Sequence, residues 1–144
     1  MGSAYHEGMR TLECHDIARG SDAPPGGGKR FAVSISNTQG VSWSDPRMHQ
    51  DLITPVCNAG ITKYRDAILF TGPHSETNRT NLTVLASYND ADTFPRALQL
   101  VPGSAGYSSV QCGLPPPHDC GVLYSDQHSR IFFLRFSFAA LSPH

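Results

Sequence analysis

The segment SNTQGVSW, residues 36–43, has a counterpart that starts 51 residues further along the chain, SYNDADTF, residues 87–94. Both copies fit the pattern Ser-x-polar-x-small-x-(Ser/Thr)-aromatic, each follows an apolar run, and a proline comes soon after each. In such a turn a short polar side chain caps the hairpin, a small residue permits the tight bend, and the aromatic ring fills the gap between neighbouring sheets. A period of this size predicts stacked β-sheet units such as propeller blades.

The rest of the chain has the same strand-and-turn character. From residue 30 onward helical periodicity is almost absent, and clusters of Gly, Pro, Asn and Asp separate short apolar or alternating runs. These runs are RFAVSIS, AILFTG, NLTVLAS, CGVLYS and RIFFLRFSF. The pattern predicts an all-β protein with many antiparallel strands, and loops at residues 21–29 and 113–120.

Composition and charge limit the class of protein. The chain has 144 residues, of which 39% are hydrophobic and 16% charged, which suits one modest core and no second domain. A formal net charge of −1 argues against nucleic acid as a partner, since phosphate binding needs a basic face. No apolar run approaches the roughly 20 residues of a membrane span. The first residues lack the apolar core of a signal peptide, so they are either a true start or the edge of a longer chain.

Four cysteines and two glycosylation triplets leave chemical alternatives open. The cysteines fit no zinc pattern because no Cys-x-x-Cys pair occurs, so neither a metal nor another cofactor is predicted. A disulfide between Cys112 and Cys120 is one alternative, and buried thiols in a reducing compartment are the other. The triplets NRT, residues 78–80, and NLT, residues 81–83, matter only if the chain is lumenal.

Tyr107 is the only bulky side chain between Val101 and Val110, in the segment LVPGSAGYSSV. A tyrosine that fills a core normally has apolar neighbours at period two or period 3.6, whereas this one has Gly, Ser, Ala and Pro. We therefore interpret Tyr107 as a displayed side chain, and residues 103–106 as small residues that let the backbone come close to a ligand. A hairpin turn with an incidental tyrosine is the alternative.

These segments together resemble the sialidase superfamily. The repeat is similar to its Asp box, Ser-x-Asp-x-Gly-x-Thr-Trp, in a degenerate form in which Thr38 and Asn89 occupy the Asp position. Ala91 replaces the Gly, and Phe94 replaces the Trp. Asp boxes occur in several propeller families, so the narrower assignment depends on the other segments.

Three further segments resemble sialidases in order and spacing. HSETNRTNLTVLAS resembles the segment in which an arginine precedes a strand that runs into an Asp box, and LVPGSAGYSSV resembles the segment with the nucleophilic tyrosine. CGVLYSDQHSRIFFLRFSF is similar to the closing strands of the fold. Arg79 precedes Tyr107 at a separation close to that usual between the family's arginine and tyrosine. The resemblance covers roughly residues 17–138.

This resemblance implies a fold and a place within it. Sialidases contain a six-bladed β-propeller with four antiparallel strands in each blade. If each blade takes about one repeat period, the chain corresponds to about three blades. Residues 1–144 are therefore expected to be the carboxyl half of a sialidase propeller, with residues 1–16 left without an assigned place.

The resemblance also implies site residues. Tyr107 would be the nucleophile, because a neutral phenol, unlike a carboxylate, is not repelled by the carboxylate of sialic acid. Arg19, in HDIARG, and Arg79 would bind that carboxylate through parallel hydrogen bonds. Asn58, in PVCNAGI, would line the glycan pocket.

Parts of the family's machinery have no match in the chain. The glutamate that serves as base is expected near residues 3–4, where no glutamate occurs. Glu7 and Glu13 are the available substitutes, and we assign the base to Glu7. The first arginine of the family and its proton-donating aspartate belong to blades that this sequence does not match. The chain alone is therefore predicted to hydrolyse nothing at a useful rate.

The implied activity is that of an exo-α-sialidase. Such an enzyme removes terminal sialic acid from glycoproteins, glycolipids or oligosaccharides with retention of configuration. The expected partners are sialylated glycans and no nucleic acid, and the family is compatible with membrane association of the full-length enzyme. The sequence assigns no cellular location.

Two other interpretations remain open. The first is a non-catalytic, sialoglycan-binding propeller fragment that kept its arginines and lost its acid and base. The second is an unrelated secreted β-sandwich with a bridge between Cys112 and Cys120. The sandwich predicts that the sequence repeat has no counterpart in the structure.

Overall fold

Three antiparallel sheets make up the part of the chain that the computed structural model describes. That part consists of the backbone of residues 3–4 and 11–15 and of residues 29–142. Within it, no helix is long and apolar enough to cross a membrane.

The strands follow one another along the chain as meanders. The first sheet has the order β1 (Ser3–Ala4), β2 (Thr11–His15), β3 (Arg30–Ser36), β4 (Arg47–Ile53). The second sheet has the order β5 (Gly60–Tyr64), β6 (Ala67–Pro73), β7 (Thr80–Ser87), β8 (Arg96–Ser104). The third sheet contains β9 (Ser108–Cys112), β10 (Cys120–Ser125) and β11 (Ile131–Phe136), and a 3₁₀ helix, Phe138–Leu141, follows it.

This architecture confirms the all-β prediction and the propeller-like arrangement of blades. β5 lies beside both β1 and β9, so the first strands of the three sheets are neighbours. The expectation of four strands in every blade holds for the first two sheets, whereas the described part of the third sheet has three.

Two apolar clusters join the sheets. One lies between the first and second sheets and is formed by Phe31, Val33, Leu52, Ile61, Ile68, Phe70, Leu85, Ala91 and Phe94. The other joins the second sheet to the third and to the 3₁₀ helix, and it includes Leu69, Leu82, Val84, Val110, Val122, Tyr124, Phe136, Phe138 and Leu141.

The second sheet is covered on both faces, which explains the unbroken apolar run AILFTG. Successive side chains of a strand point to opposite faces. Ile68 and Phe70 of β6 therefore join the cluster with the first sheet, while Ala67 and Leu69 join the cluster with the third. Every residue of β6 is buried.

The first copy of the sequence repeat forms a turn closed by its own side chains. The Ser36 hydroxyl oxygen accepts hydrogen bonds from the backbone N–H groups of Thr38, at 3.2 Å, and Gly40, at 2.8 Å. The Thr38 hydroxyl oxygen accepts one from the N–H of Ser42 at 2.8 Å. Gly40 has a φ of 86°, a conformation that a glycine adopts without strain.

The second copy of the repeat forms the same kind of turn. The Ser87 hydroxyl oxygen accepts from the N–H groups of Asn89, at 3.4 Å, and Ala91, at 2.9 Å. The Asn89 side-chain oxygen accepts from the N–H of Thr93 at 3.0 Å. The repeat is therefore structural as well as sequential, which contradicts the β-sandwich alternative.

The two aromatic residues of the repeat differ in burial. Phe94 is buried in the cluster between the first and second sheets, as expected of a residue that fills this gap. Trp43 was expected to do the same, but 37% of its surface is exposed. Its indole N–H donates to the Gly40 carbonyl at 3.1 Å, so the ring lies against its own turn instead of between sheets.

Cys112 and Cys120 form a disulfide. They lie opposite each other in the register of β9 and β10, at the two ends of the loop GLPPPHDC. The sequence left this disulfide and buried thiols as alternatives, and the pairing of the two strands decides in favour of the disulfide.

Candidate active site

Tyr107 lies between β8 and β9, and about half of its surface, 51%, is exposed. The last residue of β10 holds its backbone on both sides. The Tyr107 N–H donates to the Ser125 hydroxyl oxygen at 3.1 Å, and the Ser125 N–H donates to the Tyr107 carbonyl at 2.9 Å. The Gly106 N–H donates to the Ser125 carbonyl at 2.6 Å. The side chain of Tyr107 is thus exposed, as predicted, and β10 holds its backbone in place.

The small residues before Tyr107 serve the protein's own packing. A Cβ on Gly106 would lie 2.9 Å from the Ser125 hydroxyl oxygen, so a larger residue would push β10 away. Ala105 is fully buried in the cluster between the second and third sheets. Only at Gly103 would a Cβ meet open space among these positions. Packing within the protein therefore accounts for the small residues at Ala105 and Gly106, and close approach of a ligand to residues 103–106 stays a prediction.

Arg79 and Tyr107 lie in contact. Arg79 is the last residue before β7, and its guanidinium carbon is 5.1 Å from the centre of the Tyr107 ring. A guanidinium over an aromatic face at this distance contributes about 0.5–1 kcal/mol at an exposed site. The Arg79 carbonyl accepts from the Ala105 N–H at 2.8 Å and from the Gln127 side-chain amide at 3.1 Å. Two segments next to Tyr107 in space therefore hold the backbone of Arg79 in place.

The guanidinium of Arg79 forms a hydrogen bond with a residue whose backbone is strained. The Arg79 guanidinium donates to the Val56 carbonyl at 3.4 Å, and Val56 has a φ of 66°. A β-branched residue is a genuine outlier at such an angle, at a cost on the order of 1–3 kcal/mol. The buried Thr54 hydroxyl oxygen accepts from the N–H groups of Val56, at 3.1 Å, and Cys57, at 3.2 Å, and so stabilises the turn.

Asn58 and Tyr107 line the same cleft, which has a volume of about 400 Å³. Its other walls come from the start of β5, the start of β9, the end of β10 and Ile131 at the start of β11. A cleft of this size lies within the roughly 300–1,000 Å³ of small-molecule sites. The structure therefore brings three sequence-predicted residues, Asn58, Arg79 and Tyr107, into one region.

Asp126 organises the hairpin that carries Ser125. Burial alone would raise the pKa of the Asp126 carboxyl, but hydrogen bonds from the N–H and guanidinium of Arg130 and from the His128 N–H outweigh burial and lower that pKa. The Arg130 guanidinium lies 2.7 Å from the carboxylate. The carboxylate therefore stays charged at neutral pH and keeps the turn after β10 closed.

Other predicted residues fall outside the described part of the chain. The structure describes neither the backbone nor the side chain of Arg19 and Glu7. Glu13 lies in β2, and only the backbone of this strand is described. Within residues 29–142 no cluster of three His, Cys, Asp or Glu side chains could hold a metal ion.

Sequence reasoning missed the residues that position the pair. Ser125, Gln127 and Val56 hold Tyr107 and Arg79 through the contacts given above, across 18, 48 and 23 residues of sequence. No local motif marks them. Their role becomes visible only when β10 lies beside the Tyr107 segment.

Several known proteins are similar to this chain. A sialidase from Micromonospora viridifaciens is 30% identical over 139 residues, which cover 85% of this chain and 21% of that protein. Among solved structures, the Hadza microbial sialidase Hz136 has a TM-score of 0.77 at 22% identity. The NanB sialidase from Streptococcus pneumoniae has a TM-score of 0.72 at 17% identity. No protein-family model matches the chain.

Coverage is unequal in both structural comparisons. Each superposition covers 97% of this chain but only 27% of the Hz136 chain and 23% of the NanB chain. The chain therefore spans about a fifth to a quarter of the length of these relatives. At such low sequence identities, the structural likeness shows that the three stacked sheets have the fold of part of these proteins.

Proposed function

We propose, since this chain is related to the sialidase superfamily, that it is the carboxyl half of an exo-α-sialidase propeller. In this proposal the chain supplies the tyrosine nucleophile and two of the arginines that bind the substrate carboxylate. The contact between the Arg79 guanidinium and the Tyr107 ring, at 5.1 Å, is the observation that carries the proposal. It brings an anion-binding group next to a phenol that is accessible to solvent.

The reaction would be a retaining glycoside hydrolysis. The Tyr107 oxygen bonds to the anomeric carbon of terminal sialic acid, and the phenol proton passes to a base, which we assign to Glu7. The glycosidic bond from that carbon to the rest of the glycan breaks, and the glycan leaves as an alcohol that takes its proton from the family's aspartate. Arg79 and Arg19 bind the carboxylate on that same carbon, so that the ring is held over the phenol. Water then releases the sugar with its configuration retained. Substrates would be sialylated glycoproteins, glycolipids or oligosaccharides. Asn58, which lines the cleft, would contact the glycan of the bound substrate.

The isolated chain would bind sialic acid but would not hydrolyse sialosides. The proton-donating aspartate and the first arginine of the family have no counterpart in its sequence, so the leaving alcohol would depart without a proton donor. Brisk turnover of a fluorogenic sialoside by the purified chain would contradict this part of the proposal.

A fluorinated sugar tests the nucleophile without a proton donor. With 2,3-difluorosialic acid, the Tyr107 oxygen would bond to the anomeric carbon, the carbon–fluorine bond would break, fluoride would leave, and the phenol proton would pass to the base. We expect a covalent adduct on Tyr107, detected by mass spectrometry of peptides, and none in Tyr107→Phe. An adduct on another residue would contradict the assignment.

Binding of sialic acid tests the arginine. Removal of a charged hydrogen-bond donor costs about 1.5–3 kcal/mol, so Arg79→Ala is expected to weaken binding by about tenfold or more in titration calorimetry. Arg47→Ala is the matched control, because Arg47 is an exposed arginine that pairs with Asp92 at 3.5 Å. Equal weakening by both substitutions would mean that Arg79 acts only through net charge.

A non-catalytic sialoglycan-binding fragment is the second candidate. Within residues 29–142 the Tyr107 hydroxyl has no hydrogen-bond partner, and the family's glutamate base is unmatched in the sequence. A binding module would keep its affinity for sialic acid in Tyr107→Phe and would form no adduct with the fluorinated sugar. The same two measurements therefore separate the candidates.

A further inference from the structure

Two glycosylation triplets overlap the start of β7, and the structure treats their asparagines very differently. The first, residues 78–80, lies in a bend before the strand, and Asn78 is exposed. The second, residues 81–83, lies inside β7. Both fit Asn-x-Ser/Thr, so the sequence does not distinguish them.

Asn81 is fully engaged in the fold. Its side-chain N–H donates to the His74 carbonyl at 2.9 Å, and its side-chain oxygen accepts from the Gln99 amide. Thr83, the third residue of this triplet, is buried, and its hydroxyl donates to the Asn81 carbonyl at 3.1 Å. Asn81 also has a φ of 63°, at the position where the register between β7 and β8 shifts. A sugar attached to this amide would displace the hydrogen bonds that hold the irregular pairing between β7 and β8.

Among the residues that the structure describes, Asn78 forms hydrogen bonds through its backbone only. Its N–H donates to the Ser75 hydroxyl oxygen at 3.2 Å, and its carbonyl accepts from the Thr80 N–H at 2.8 Å. Within residues 29–142 its side-chain amide has no hydrogen-bond partner. The amide can therefore carry a substituent without the loss of a hydrogen bond to any residue from 29 to 142.

The disulfide supplies a second, independent observation. Cys112 and Cys120 are bonded across β9 and β10. Disulfides persist in oxidising compartments, which in eukaryotic cells include the lumenal compartment where asparagine glycosylation takes place. The two triplets can be glycosylated only if the chain enters this compartment. The disulfide is consistent with such a location.

We propose that Asn78 is an N-linked glycan acceptor and that Asn81 is not. The Asn78 amide nitrogen would bond to the anomeric carbon of N-acetylglucosamine in a lipid-pyrophosphate-linked oligosaccharide. The bond from that carbon to the pyrophosphate oxygen would break, lipid pyrophosphate would leave, and the amide proton would pass to a base of the transferase. The glycan would stand one residue before Arg79, at the edge of the site described above.

Site occupancy in a secretory host tests this proposal. The chain is expressed in human cells behind an added signal peptide, and all of it, retained and secreted, is treated with a glycosidase in heavy-oxygen water. Each released glycan leaves a labelled aspartate, which mass spectrometry assigns to a position. We expect the label at residue 78 and none at residue 81.

Two conservative variants serve as controls. Thr80→Ala removes the first triplet and should abolish the label, whereas Thr83→Val removes the second triplet with a residue of similar shape and should leave the label at residue 78 unchanged. Label at residue 81 equal to or above that at residue 78 would overturn the proposal. So would an unlabelled chain, since the host supplies both the transferase and the donor.

Discussion

At the scale of single residues, the arginine and the tyrosine depend on neighbours that are themselves constrained. The Arg79 guanidinium donates to the carbonyl of Val56, a residue with a positive φ, and Tyr107 is held by Ser125. Strained backbone positions persist where surrounding contacts over-determine them, and such positions cluster at functional sites. The observed outlier at Val56 therefore supports the proposal that Arg79 is held ready for an anion.

Stability should depend on pH through Asp126. Its folded-state pKa is lowered, so its carboxylate stabilises the fold above the unfolded value of 3.8, and this contribution is lost as the pH falls through the folded value. Asp126→Asn is expected to lower the melting temperature at pH 7, and the difference from the unsubstituted protein should shrink below about pH 3. Thermal unfolding followed by circular dichroism at pH values from 7 to below about 3 measures the melting temperatures of the variant and of the unsubstituted protein.

An exposed carboxylate provides the control for this pH effect. Asp45 is exposed, so Asp45→Asn should change the melting temperature little at any pH. A difference between Asp126→Asn and the unsubstituted protein that remained as large below about pH 3 as at pH 7 would contradict the role of the charge.

At the scale of elements, the two degenerate turns show which property of the Asp box the fold needs. The acceptor is a hydroxyl oxygen at Thr38 and an amide oxygen at Asn89, yet each receives a backbone N–H from four residues further on. A side-chain oxygen at this position closes the turn whether or not it is charged. The loss of aspartate from both copies therefore leaves the hairpins intact.

The contact between β5 and β9 should be sensitive to a single methyl group. A Cβ on Gly60 would lie 2.8 Å from backbone atoms of Ser109 and Val110, which cannot move independently of the third sheet. Gly60→Ala is expected to lower the free energy of unfolding by about 1–3 kcal/mol in urea titrations. Gly103→Ala adds the same methyl group where nothing lies within 4 Å and should cost far less. Equal effects would mean that the sheets are not packed as described.

The hairpin of β9 and β10 should lose stability with its disulfide. The bond closes a sequence separation of 8 residues, for which chain entropy predicts a contribution of about 2–3 kcal/mol. The double variant Cys112→Ser, Cys120→Ser should lose this amount in urea unfolding. Reductant should destabilise the unsubstituted protein by a similar amount and leave the variant unchanged, and a variant that still responded to reductant would contradict this assignment.

At the scale of the whole molecule, one flank of the sheet stack is apolar. The side chains of β10 and β11 that point away from the second sheet include Leu123, Ile131 and Phe133, which are 49%, 71% and 57% exposed. β11 has β10 on one side and no described strand on the other. In a closed β-propeller, such a face packs against a further blade.

This flank should make the chain self-associate. An exposed apolar face beside an open strand edge favours association between copies. Ile131→Lys with Phe133→Lys should shift sedimentation profiles toward monomer, because both positions are exposed and the added charges repel. Val41→Lys changes an exposed valine in the first turn of the repeat and should leave the profile as it was. A monomeric unsubstituted chain would contradict this prediction.

Local sequence was enough to predict the all-β class, the repeated turn and the separate positions of Arg79 and Tyr107. These follow from side-chain alternation and turn chemistry, which act over a few residues of chain. Three-dimensional packing was needed to establish that Arg79 meets Tyr107 and that Cys112 bonds Cys120. It also established that Trp43 stays on the surface. Such outcomes depend on strand register and on the stacking of one sheet against the next, and no local pattern encodes a distance between residues far apart in the chain.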